Sequence, residues 1–332
     1  MIKPISLNIP PGIEFGAGKI QSLTAHLRDS NRVFMLVDSP VLGQVQPIIE
    51  RLQNSGTLLL VSTEVVPEPP IESLEALLAP VKEFNPDAVV GIGGGSAMDM
   101  AKLVAVLYNG EQRVEEVIGI DNVGFRKVKL ITASTTSGTG SEVTPIAVLT
   151  DSAAGLKKGV VSRHIVPDVA IVDPELTLGK PPSVTAATGM DAMTHCIEAY
   201  TNRFAHPIID ILALQGIELI NKSLEKAVKD GTNLEARTNM ALGSLYGGMC
   251  LGPVNTAAVH ALAYPLGGKF KISHGMSNSV LLPFVMQFNL PSCIERYAAI
   301  GRSLGLQPGI SAEDMARAAI RSVRTLSERC AI

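Results

Sequence analysis

The chain has 332 residues, of which 46% are hydrophobic and 18% are charged. This composition is typical of a globular protein with one large or two ordinary domains, and it excludes a disordered or fibrous chain. The 28 basic and 31 acidic residues give a formal net charge of −3, so we expect neither nucleic acid nor a membrane as a partner. Four widely spaced cysteines, and a chain start without an apolar signal core, favour a reducing cytoplasm.

Up to about residue 175 the sequence alternates β-branched runs with helical patterns, which is typical of βαβ units and a largely parallel sheet. The strongest predicted strands are Arg32 to Val37, Ala88 to Ile92, Val128 to Thr132 and Val169 to Val172. The clearest helices between them are Ile71 to Phe84 and Ser96 to Leu107. A further strand over Ile5 to Phe15, interrupted by Pro10 and Pro11, is expected at a sheet edge.

Beyond Pro181 and Pro182 the pattern becomes helical, with few convincing strands. The predicted helices are Ser183 to Tyr200, Pro207 to Ser223, Leu234 to Cys250, Cys293 to Leu304 and Ala312 to Ser327. We therefore predict an α/β domain over residues 1–178 and an all-helical domain over residues 179–332.

A glycine-rich turn follows the strand Ala88 to Ile92. Its sequence is Gly93-Gly94-Gly95-Ser96, and apolar residues then recur at helical spacing. Backbone amides in such a turn approach an anion closely, and the helix N-terminus adds unpaired N–H groups, so a phosphate is the natural ligand. Ser96 and Asp99 also fit a capping box, so the alternative is a capped helix after a tight turn. The turn matches neither G-x-G-x-x-G nor a P-loop.

A second unusual loop, Thr132 to Glu142, consists mostly of hydroxyl-bearing residues and glycine. Alone it could be a polar surface loop. Loops at the carboxyl ends of parallel strands converge on one crevice, however, so the two loops predict a shared phosphate-bearing ligand. Asp38 follows another strand on the same edge, where a carboxylate would bind ribose hydroxyls and repel a 2′-phosphate, favouring NAD over NADP. Its alternative role is that of a turn residue before Ser39 and Pro40.

Three of the six histidines lie in small, apolar stretches of the helical half. His195 follows Asp191 by four residues, which places a carboxylate and an imidazole one helical turn apart. His260 lies in a stretch predicted to be a buried helix, and His274 precedes Gly275. One carboxylate and three imidazoles suit a divalent first-row metal. The alternative is that each histidine is a hydrogen-bonded core residue.

Four motifs occur in order along nearly the whole chain. They run from Gly93 to Lys102, from Thr135 to Glu142, from Gly189 to Tyr200 and from His260 to Gly275. Together they resemble the iron-containing alcohol dehydrogenase family. The resemblance implies an N-terminal dinucleotide-binding, Rossmann-like α/β domain and an all-helical, metal-binding C-terminal domain.

The resemblance also implies roles for individual residues. The metal, Fe²⁺ or in some members Zn²⁺, would be held by Asp191, His195, His260 and His274. The cofactor NAD(H) would contact Asp38, Gly93, Gly94, Gly95, Ser96, Asp99, Thr135, Thr136, Thr139 and Lys157. Tyr264 occupies the position of a family histidine that relays the substrate proton. We expect it to donate a hydrogen bond, because an unperturbed tyrosine titrates near pH ~10.

The function implied is hydride transfer between NAD(H) and a small alcohol, aldehyde or ketone, by a cytoplasmic homodimer. One alternative is a maleylacetate-type keto-acid reductase or an enzyme like the zinc-dependent glycerol dehydrogenases. A keto-acid reductase would need cationic anchors such as Arg163, His164, Lys269 or Lys271. Another alternative is a non-catalytic nucleotide-binding protein. Since the family usually continues through further helices, we expect the helical domain to be incomplete after Ile332.

Overall fold

The computed structural model describes residues 2–332, except for the side chain of Lys269. The suggestion that Lys269 anchors a carboxylate therefore falls outside the described side chains. The chain divides into two compact units. The α/β unit consists of Asn8–Thr135 and Ser141–Leu176, and the helical unit consists of residues 2–7, Thr136–Gly140 and Thr177–Ile332.

The α/β unit is built on parallel strands. Its strands are β1 (Gly12–Phe15), β2 (Arg32–Val37), β3 (Leu58–Ser62), β4 (Ala88–Gly93), β5 (Gly119–Ile120), β6 (Lys129–Ser134), β7 (Ile146–Asp151), β8 (Leu156–Val161) and β9 (Val169–Val172). Its helices are α1 (Leu23–His26), α2 (Leu42–Asn54), α3 (Ile71–Phe84), α4 (Gly95–Leu107) and α5 (Val114–Val117). The main sheet is parallel, in the order β1-β9-β6-β4-β2-β3, and a smaller sheet has the order β5-β8-β7.

Both faces of the main sheet are covered, which explains why its central strands are continuous apolar runs. In β2, Phe34 and Leu36 pack into one buried cluster with α3 and α4. Val33, Met35 and Val37 of the same strand pack into the opposite cluster with α2. The four predicted strands and two predicted helices of this half are confirmed, with shifts of one or two residues at their ends.

The helical unit is built from the helices that follow residue 181. They are α6 (Pro182–Thr201), α7 (Pro207–Lys229), α8 (Leu234–Val254), α9 (Ala258–Phe270), α10 (His274–Ser303) and α11 (Ala312–Arg329). Their apolar faces form one buried cluster. The predicted helices are confirmed, but α10 begins 19 residues before the predicted Cys293 (293 − 274). Cys293 is a non-helical kink within it, so the sequence pattern detected only the segment after the kink.

The predicted strand from Ile5 to Phe15 is wrong in extent. Only Gly12–Phe15 forms a strand, β1, which pairs with β9 at the edge of the main sheet. The preceding residues 2–7 belong to the helical unit, where the Lys3 carbonyl bonds with His206 Nε2 at 3.0 Å. Ile5 packs against the core of that unit, so its apolar character reflects helix packing rather than strand alternation.

Several elements were absent from the sequence-based prediction, including α2, β3 and the β7–β8 hairpin. Strand β3 is partly exposed, and β8, which pairs with β7, contains the two adjacent lysines Lys157 and Lys158. Strands β3 and β7 do contain apolar runs, Leu58 to Val61 and Ile146 to Leu149, which the sequence-based prediction did not assign to strands. Among residues 2–332, no helix has both the length and the apolar character needed to cross a membrane.

Candidate functional site

Helix α6 carries two of the predicted metal ligands on one face. Asp191 and His195 are one turn apart, and Asp191 Oδ1 lies 3.8 Å from His195 Nε2. Both residues are buried, with exposed fractions of 3% and 4%. Because α6 packs against α7, α8 and α10, this polar pair lies inside the helical unit rather than at its surface.

Two further helices bring the other predicted ligands to the same carboxylate oxygen. His260 is in α9 and its Nε2 lies 3.6 Å from Asp191 Oδ1. His274 is the first residue of α10 and its Nε2 lies 3.7 Å from the same oxygen. The rings of His195 and His260 are stacked with centroids 4.8 Å apart. The fold thus assembles one carboxylate and three imidazoles, from three helices, around one point.

The spacing of these donors fits a metal ion. Two atoms that each lie about 2.0–2.2 Å from one ion can be at most about 4.4 Å apart, and the three imidazole nitrogens meet this limit relative to Asp191 Oδ1. Ligand atoms of Asp191, His195 and His260 all lie within 4.8 Å of one another. Three imidazoles and one carboxylate are a donor set for divalent first-row metals. The residues therefore fit iron or zinc.

The electrostatics of the cluster favour the ligand form at Asp191 and His195, whereas His260 must lose a proton when it binds a metal. Burial by itself raises the pKa of Asp191, but His195, His274 and His260 together hold that pKa well below its usual range. Burial lowers the pKa of His195 to about 4, so this imidazole is neutral near pH 7. Burial also lowers the pKa of His260, but hydrogen bonds with Asp191 and Glu198 outweigh it and raise the pKa to about 9. An ionised carboxylate and a neutral imidazole are the metal-binding forms of these groups.

Two residues next to the cluster received no role from the sequence. Glu198 is buried and its Oε2 lies 2.6 Å from His260 Nδ1. Asn278 Nδ2 lies 2.7 Å from Asp191 Oδ1, 3.1 Å from His260 Nε2 and 3.2 Å from His274 Nε2. Sequence spacing contained the signal for both, since Glu198 follows Asp191 by two turns of α6 and Asn278 follows His274 by one turn of α10.

The accessible side of the cluster lies at His274 and Tyr264. The His274 side chain is 30% exposed, whereas those of Asp191, His195 and His260 are 3–5% exposed. Tyr264 is 38% exposed, and its ring lies nearly parallel to that of His274 with centroids 6.0 Å apart. A small molecule from solvent would therefore meet these two rings first.

In the α/β unit, the glycine turn is held by its neighbours. The backbone N–H of Gly94 donates to Asp38 Oδ2 at 3.0 Å, and the Thr135 N–H donates to the Gly93 carbonyl at 2.9 Å. A Cβ atom on Gly93 would lie 2.6 Å from Ala97 Cβ and 2.8 Å from Asp38 Oδ2, so no larger residue fits there. The structure thus places Asp38, the turn and Thr135 together, at the carboxyl ends of β2, β4 and β6.

The alternative interpretation of Ser96 and Asp99 as a capping box at the start of α4 is wrong. Gly94 is the N-cap residue, and the helix has no side-chain cap. Ser96 Oγ instead accepts a hydrogen bond from the backbone N–H of Glu68 at 3.1 Å. Asp99 accepts hydrogen bonds from Ser141 Oγ at 2.5 Å and from the Val148 N–H at 2.9 Å. The two side chains therefore bond to neighbouring segments, and the first N–H groups of α4 are not capped by them.

A buried lysine lies beneath this turn. Lys102 is fully buried, and its Nζ donates to Ser141 Oγ and the Ile146 carbonyl at 2.8 Å and to Thr144 Oγ1 at 3.1 Å. Burial lowers the pKa of Lys102 to about 8, although Asp99 and Glu142 oppose the shift. Burial raises the pKa of the Glu142 carboxyl to about 7. This network joins α4 to the segment that follows the threonine-rich loop.

The other predicted cofactor contacts are Lys157, Thr136 and Thr139. Lys157 in β8 forms an ion pair with Glu68 at 2.9 Å and is only 10% exposed. Thr136 and Thr139 belong to the short segment Thr136–Gly140 of the helical unit. In that segment Gly140 has a φ of +61°, and a Cβ atom on it would lie 2.4 Å from Gly248 Cα of α8, which makes glycine necessary at this close approach.

These observations first define a class of protein. A glycine turn that enters a helix at the carboxyl edge of a parallel sheet is a phosphate-binding arrangement, typical of nucleotide cofactors. A buried cluster of imidazoles and a carboxylate is typical of a metalloenzyme. The two together indicate a metal-dependent enzyme that uses a nucleotide cofactor.

Comparison with known proteins specifies the family. Residues 10–174 match the family described as "Iron-containing alcohol dehydrogenase". Residues 185–332 match the family described as "Fe-containing alcohol dehydrogenase family, C-terminal". The chain belongs to the iron-containing alcohol dehydrogenase family. The fold and the oxidoreductase activity expected from the sequence, metal-dependent and NAD-linked, are confirmed at the level of this family.

Three relatives illustrate the similarity. The chain is 44% identical to long-chain-alcohol dehydrogenase 1 of Geobacillus thermodenitrificans, over 89% of this chain and 76% of that protein. It is 35% identical to the NAD-dependent methanol dehydrogenase of Bacillus methanolicus, over 96% of this chain and 84% of that protein. A crystal structure of 1,3-propanediol oxidoreductase superposes with a TM-score of 0.95 at 34% identity, covering 99% of this chain and 88% of the other.

Proposed function

We propose that the protein interconverts a small alcohol and its aldehyde or ketone, using NAD(H) and one divalent metal, Fe²⁺ or Zn²⁺. The observation that carries the proposal is the convergence of three imidazoles on Asp191 Oδ1. Asp191, His195, His260 and His274 would hold the metal. When bound, the metal supplies Lewis-acid stabilisation of negative charge on a substrate oxygen, and the nicotinamide exchanges the hydride.

The protein's own residues supply position and exclusion of water. The burial of Asp191, His195 and His260 fixes their side chains and keeps the closed side of the cluster dry. The substrate would approach at His274 and Tyr264, the two exposed rings. Tyr264 Oη would donate a hydrogen bond to the substrate. A tyrosine hydroxyl that donates one hydrogen bond can orient a substrate oxygen.

The proposed cofactor site in the α/β unit consists of the glycine turn and its neighbours. The amides of the turn from Gly93 to Ser96 would bind the pyrophosphate, and Asp38 would accept hydrogen bonds from the adenosine ribose. The bond from the Gly94 N–H to Asp38 supports this, because it holds the carboxylate beside the turn. Contacts from Asp99, Thr135, Thr136, Thr139 and Lys157 to NAD(H) remain predictions. Residues 1–178 would form the dinucleotide-binding domain and residues 179–332 the metal-binding domain.

Activity on a panel of compounds tests this function. The purified protein, with its metal content measured, is assayed with NAD(H) against simple alcohols, aldehydes and keto acids. We expect turnover of alcohols and aldehydes. Preference for keto acids would support a maleylacetate-type reductase instead, and preference for glycerol would support a glycerol dehydrogenase-like enzyme. Nucleotide binding without bound metal or turnover would support a non-catalytic protein.

We also propose a cytoplasmic homodimer formed partly through the N-terminal segment. Strand β1 lies at the sheet edge, with β9 as its partner in the described sheet, and such an edge can pair with a second chain. Light scattering of the protein with and without residues 1–12 tests the assembly. A monomer at micromolar concentration, or a dimer that the truncation leaves unchanged, would exclude this segment from the interface. The four cysteines are free thiols, which supports a reducing compartment.

A further inference from the structure

We propose that Glu198 is a positioning residue that fixes the ring of His260 with Nε2 directed at the metal. The proposal rests on the proposed metal site, since it concerns how one of its ligands is held. Glu198 is not one of the four ligands. It lies in α6, seven residues after Asp191, and only 3% of its surface is exposed.

The hydrogen bond between the two residues determines which imidazole nitrogen is available. Glu198 Oε2 lies 2.6 Å from His260 Nδ1. An ionised carboxylate only accepts hydrogen bonds, so Nδ1 must carry the proton. In the neutral ring that a metal ligand requires, the lone pair is then on Nε2, the atom that lies 3.6 Å from Asp191 Oδ1. A carboxylate that orients a metal-bound histidine in this way also raises the basicity of the ligand.

A second contact independently supports the same tautomer. Asn278 Nδ2 lies 3.1 Å from His260 Nε2 and 2.7 Å from Asp191 Oδ1. An amide nitrogen is a donor only, and the Asp191 carboxylate at the shorter distance requires a donor there. The same nitrogen can approach His260 Nε2 this closely when that atom carries a lone pair. Glu198 and Asn278 therefore define the two ends of the imidazole.

Glu198 is itself held firmly by backbone groups. Its Oε1 accepts a hydrogen bond from the Val259 N–H at 2.6 Å, and its Oε2 accepts one from the Ala257 N–H at 2.9 Å. These amides lie at the start of α9, whose N-cap residue makes no side-chain cap. One carboxylate from α6 therefore binds both the backbone at the start of α9 and the side chain of His260.

These backbone bonds raise a competing explanation, in which Glu198 only caps α9. The variant Glu198→Gln perturbs both roles, because an amide has one accepting oxygen and one donating nitrogen, and a double-mutant cycle with His260→Ala separates them. If the oxygen takes the Oε1 position it still caps Val259, but the nitrogen then faces His260 Nδ1 and favours the opposite tautomer, with the proton on Nε2. If the oxygen takes the Oε2 position, it still accepts a hydrogen bond from His260 Nδ1, but the acceptor is neutral and no longer an anionic carboxylate.

The primary measurement is the affinity of the metal-free protein for Zn²⁺ alone, determined by competition with a chromogenic chelator. We expect Glu198→Gln to weaken Zn²⁺ binding by about 10–100-fold, the usual effect of removing such a partner. Glu218→Gln is the matched control, since Glu218 is an exposed glutamate of α7 paired with Lys222. It should bind Zn²⁺ like the unmodified protein.

A double-mutant cycle distinguishes positioning from a general structural effect. If Glu198 acts through His260, adding Glu198→Gln to His260→Ala should lower Zn²⁺ affinity no further. A further loss of the same 10–100-fold size in that background would overturn the proposal, since the effect would then not pass through His260. Unchanged Zn²⁺ affinity in Glu198→Gln, combined with a loss in His195→Ala, would overturn the positioning role and leave the metal site intact.

A measurement on the unmodified protein keeps the test independent of whether the variants fold. Nitrogen-15 NMR of the histidine-labelled, Zn²⁺-loaded protein should show His260 with a slowly exchanging Nδ1–H and with Nε2 bound to zinc. A zinc-bound Nδ1 with the proton on Nε2 would overturn the proposal. If His195→Ala, His260→Ala and His274→Ala all bound Zn²⁺ normally, the metal site itself would be wrong, and this result is distinct from a failure of Glu198 alone.

Discussion

The α/β unit and the helical unit both bury carboxylates, but they balance the negative charge differently. In the α/β unit, the carboxylates of Asp99 and Glu142 share the fully buried ammonium of Lys102, which belongs to the same chain. In the helical unit, Asp191 faces three imidazoles, which are cationic only when protonated and are otherwise neutral donors.

This difference separates a structural network from a ligand site. A charge that is compensated by a lysine within the fold needs nothing from outside and holds segments together. Where neutral imidazoles surround a carboxylate, the imidazole lone pairs and the carboxylate oxygen are directed at one point. An external cation can bind at that point. The following predictions test that contrast, from the largest expected effect to the smallest.

Removal of one imidazole should have the largest effect. In His195→Ala we expect loss of stoichiometric metal and a decrease in turnover of at least about 10³-fold, because the Lewis acid contributes several kcal/mol to the transition state. NADH affinity should remain nearly unchanged. Metal analysis, steady-state kinetics and NADH fluorescence titration measure the three quantities.

The control for this substitution is His206→Ala. His206 is a buried histidine of the same unit, but it bonds with the Lys3 carbonyl rather than with Asp191. It should retain metal and turnover. Stoichiometric metal in each of His195→Ala, His260→Ala and His274→Ala would contradict the proposed ligands.

The buried network of Asp99, Lys102 and Glu142 in the α/β unit should make the free energy of unfolding depend on pH. Burial raises the pKa of Glu142 to about 7, against 4.5 for a free glutamate. The native state therefore binds this proton more tightly than the unfolded state does, and the resulting stabilisation is present below pH 4.5 and lost as the pH rises through 7. Glu142→Gln abolishes the titration. The free energy of unfolding of the variant, relative to that of the unmodified protein, should therefore rise across this interval by at most about 3 kcal/mol.

Urea unfolding of both proteins between pH 5 and pH 8 measures this difference. Glu218→Gln, on the surface of α7, serves as the control and should show no such trend. A constant difference between Glu142→Gln and the unmodified protein at every pH would show that Glu142 is ionised throughout.

The glycine turn should be sensitive to a single methyl group. In Gly93→Ala the new Cβ would meet Ala97 Cβ at 2.6 Å and Asp38 Oδ2 at 2.8 Å. The turn must shift, so we expect NADH affinity to fall by about 10–100-fold, corresponding to the 1–3 kcal/mol typical of overpacking. Gly43→Ala in α2 meets nothing within 4 Å and should bind NADH normally. Metal content should be unchanged in both variants, and a loss of metal in Gly93→Ala would contradict the separation of the two sites.

Cofactor choice should show the smallest effect. Asp38→Asn removes the negative charge and keeps an oxygen that can accept the Gly94 N–H, whereas Asp38→Gly removes both. We expect each variant to raise the NADPH/NADH ratio of kcat/KM by about tenfold, roughly the strength of one charge–charge contact near a surface. The Asn variant should retain NADH use better. Efficient use of NADPH by the unmodified protein would contradict the role of Asp38.

Local patterns in the sequence predicted much of this molecule. The strand, glycine turn and helix around Gly93 are contiguous, and the pair Asp191–His195 lies within one helix. Such features depend on spacings of a few residues, which the periodicity of helices and strands translates directly into geometry. The same reasoning failed at Ser96 and Asp99, because a sequence match to a capping box contains no information about Glu68 or Ser141, which compete for those side chains.

The sequence by itself thus determined the donors of the candidate metal site, the phosphate turn and the order of the main elements. Only the tertiary structure decided that His260 and His274 meet Asp191, that Glu198 bonds to His260 Nδ1, and that Lys102 donates to Ser141 Oγ. The physical reason is the separation along the chain. These contacts join helices or loops whose mutual placement depends on side-chain packing over the whole core, and no local periodicity encodes that packing.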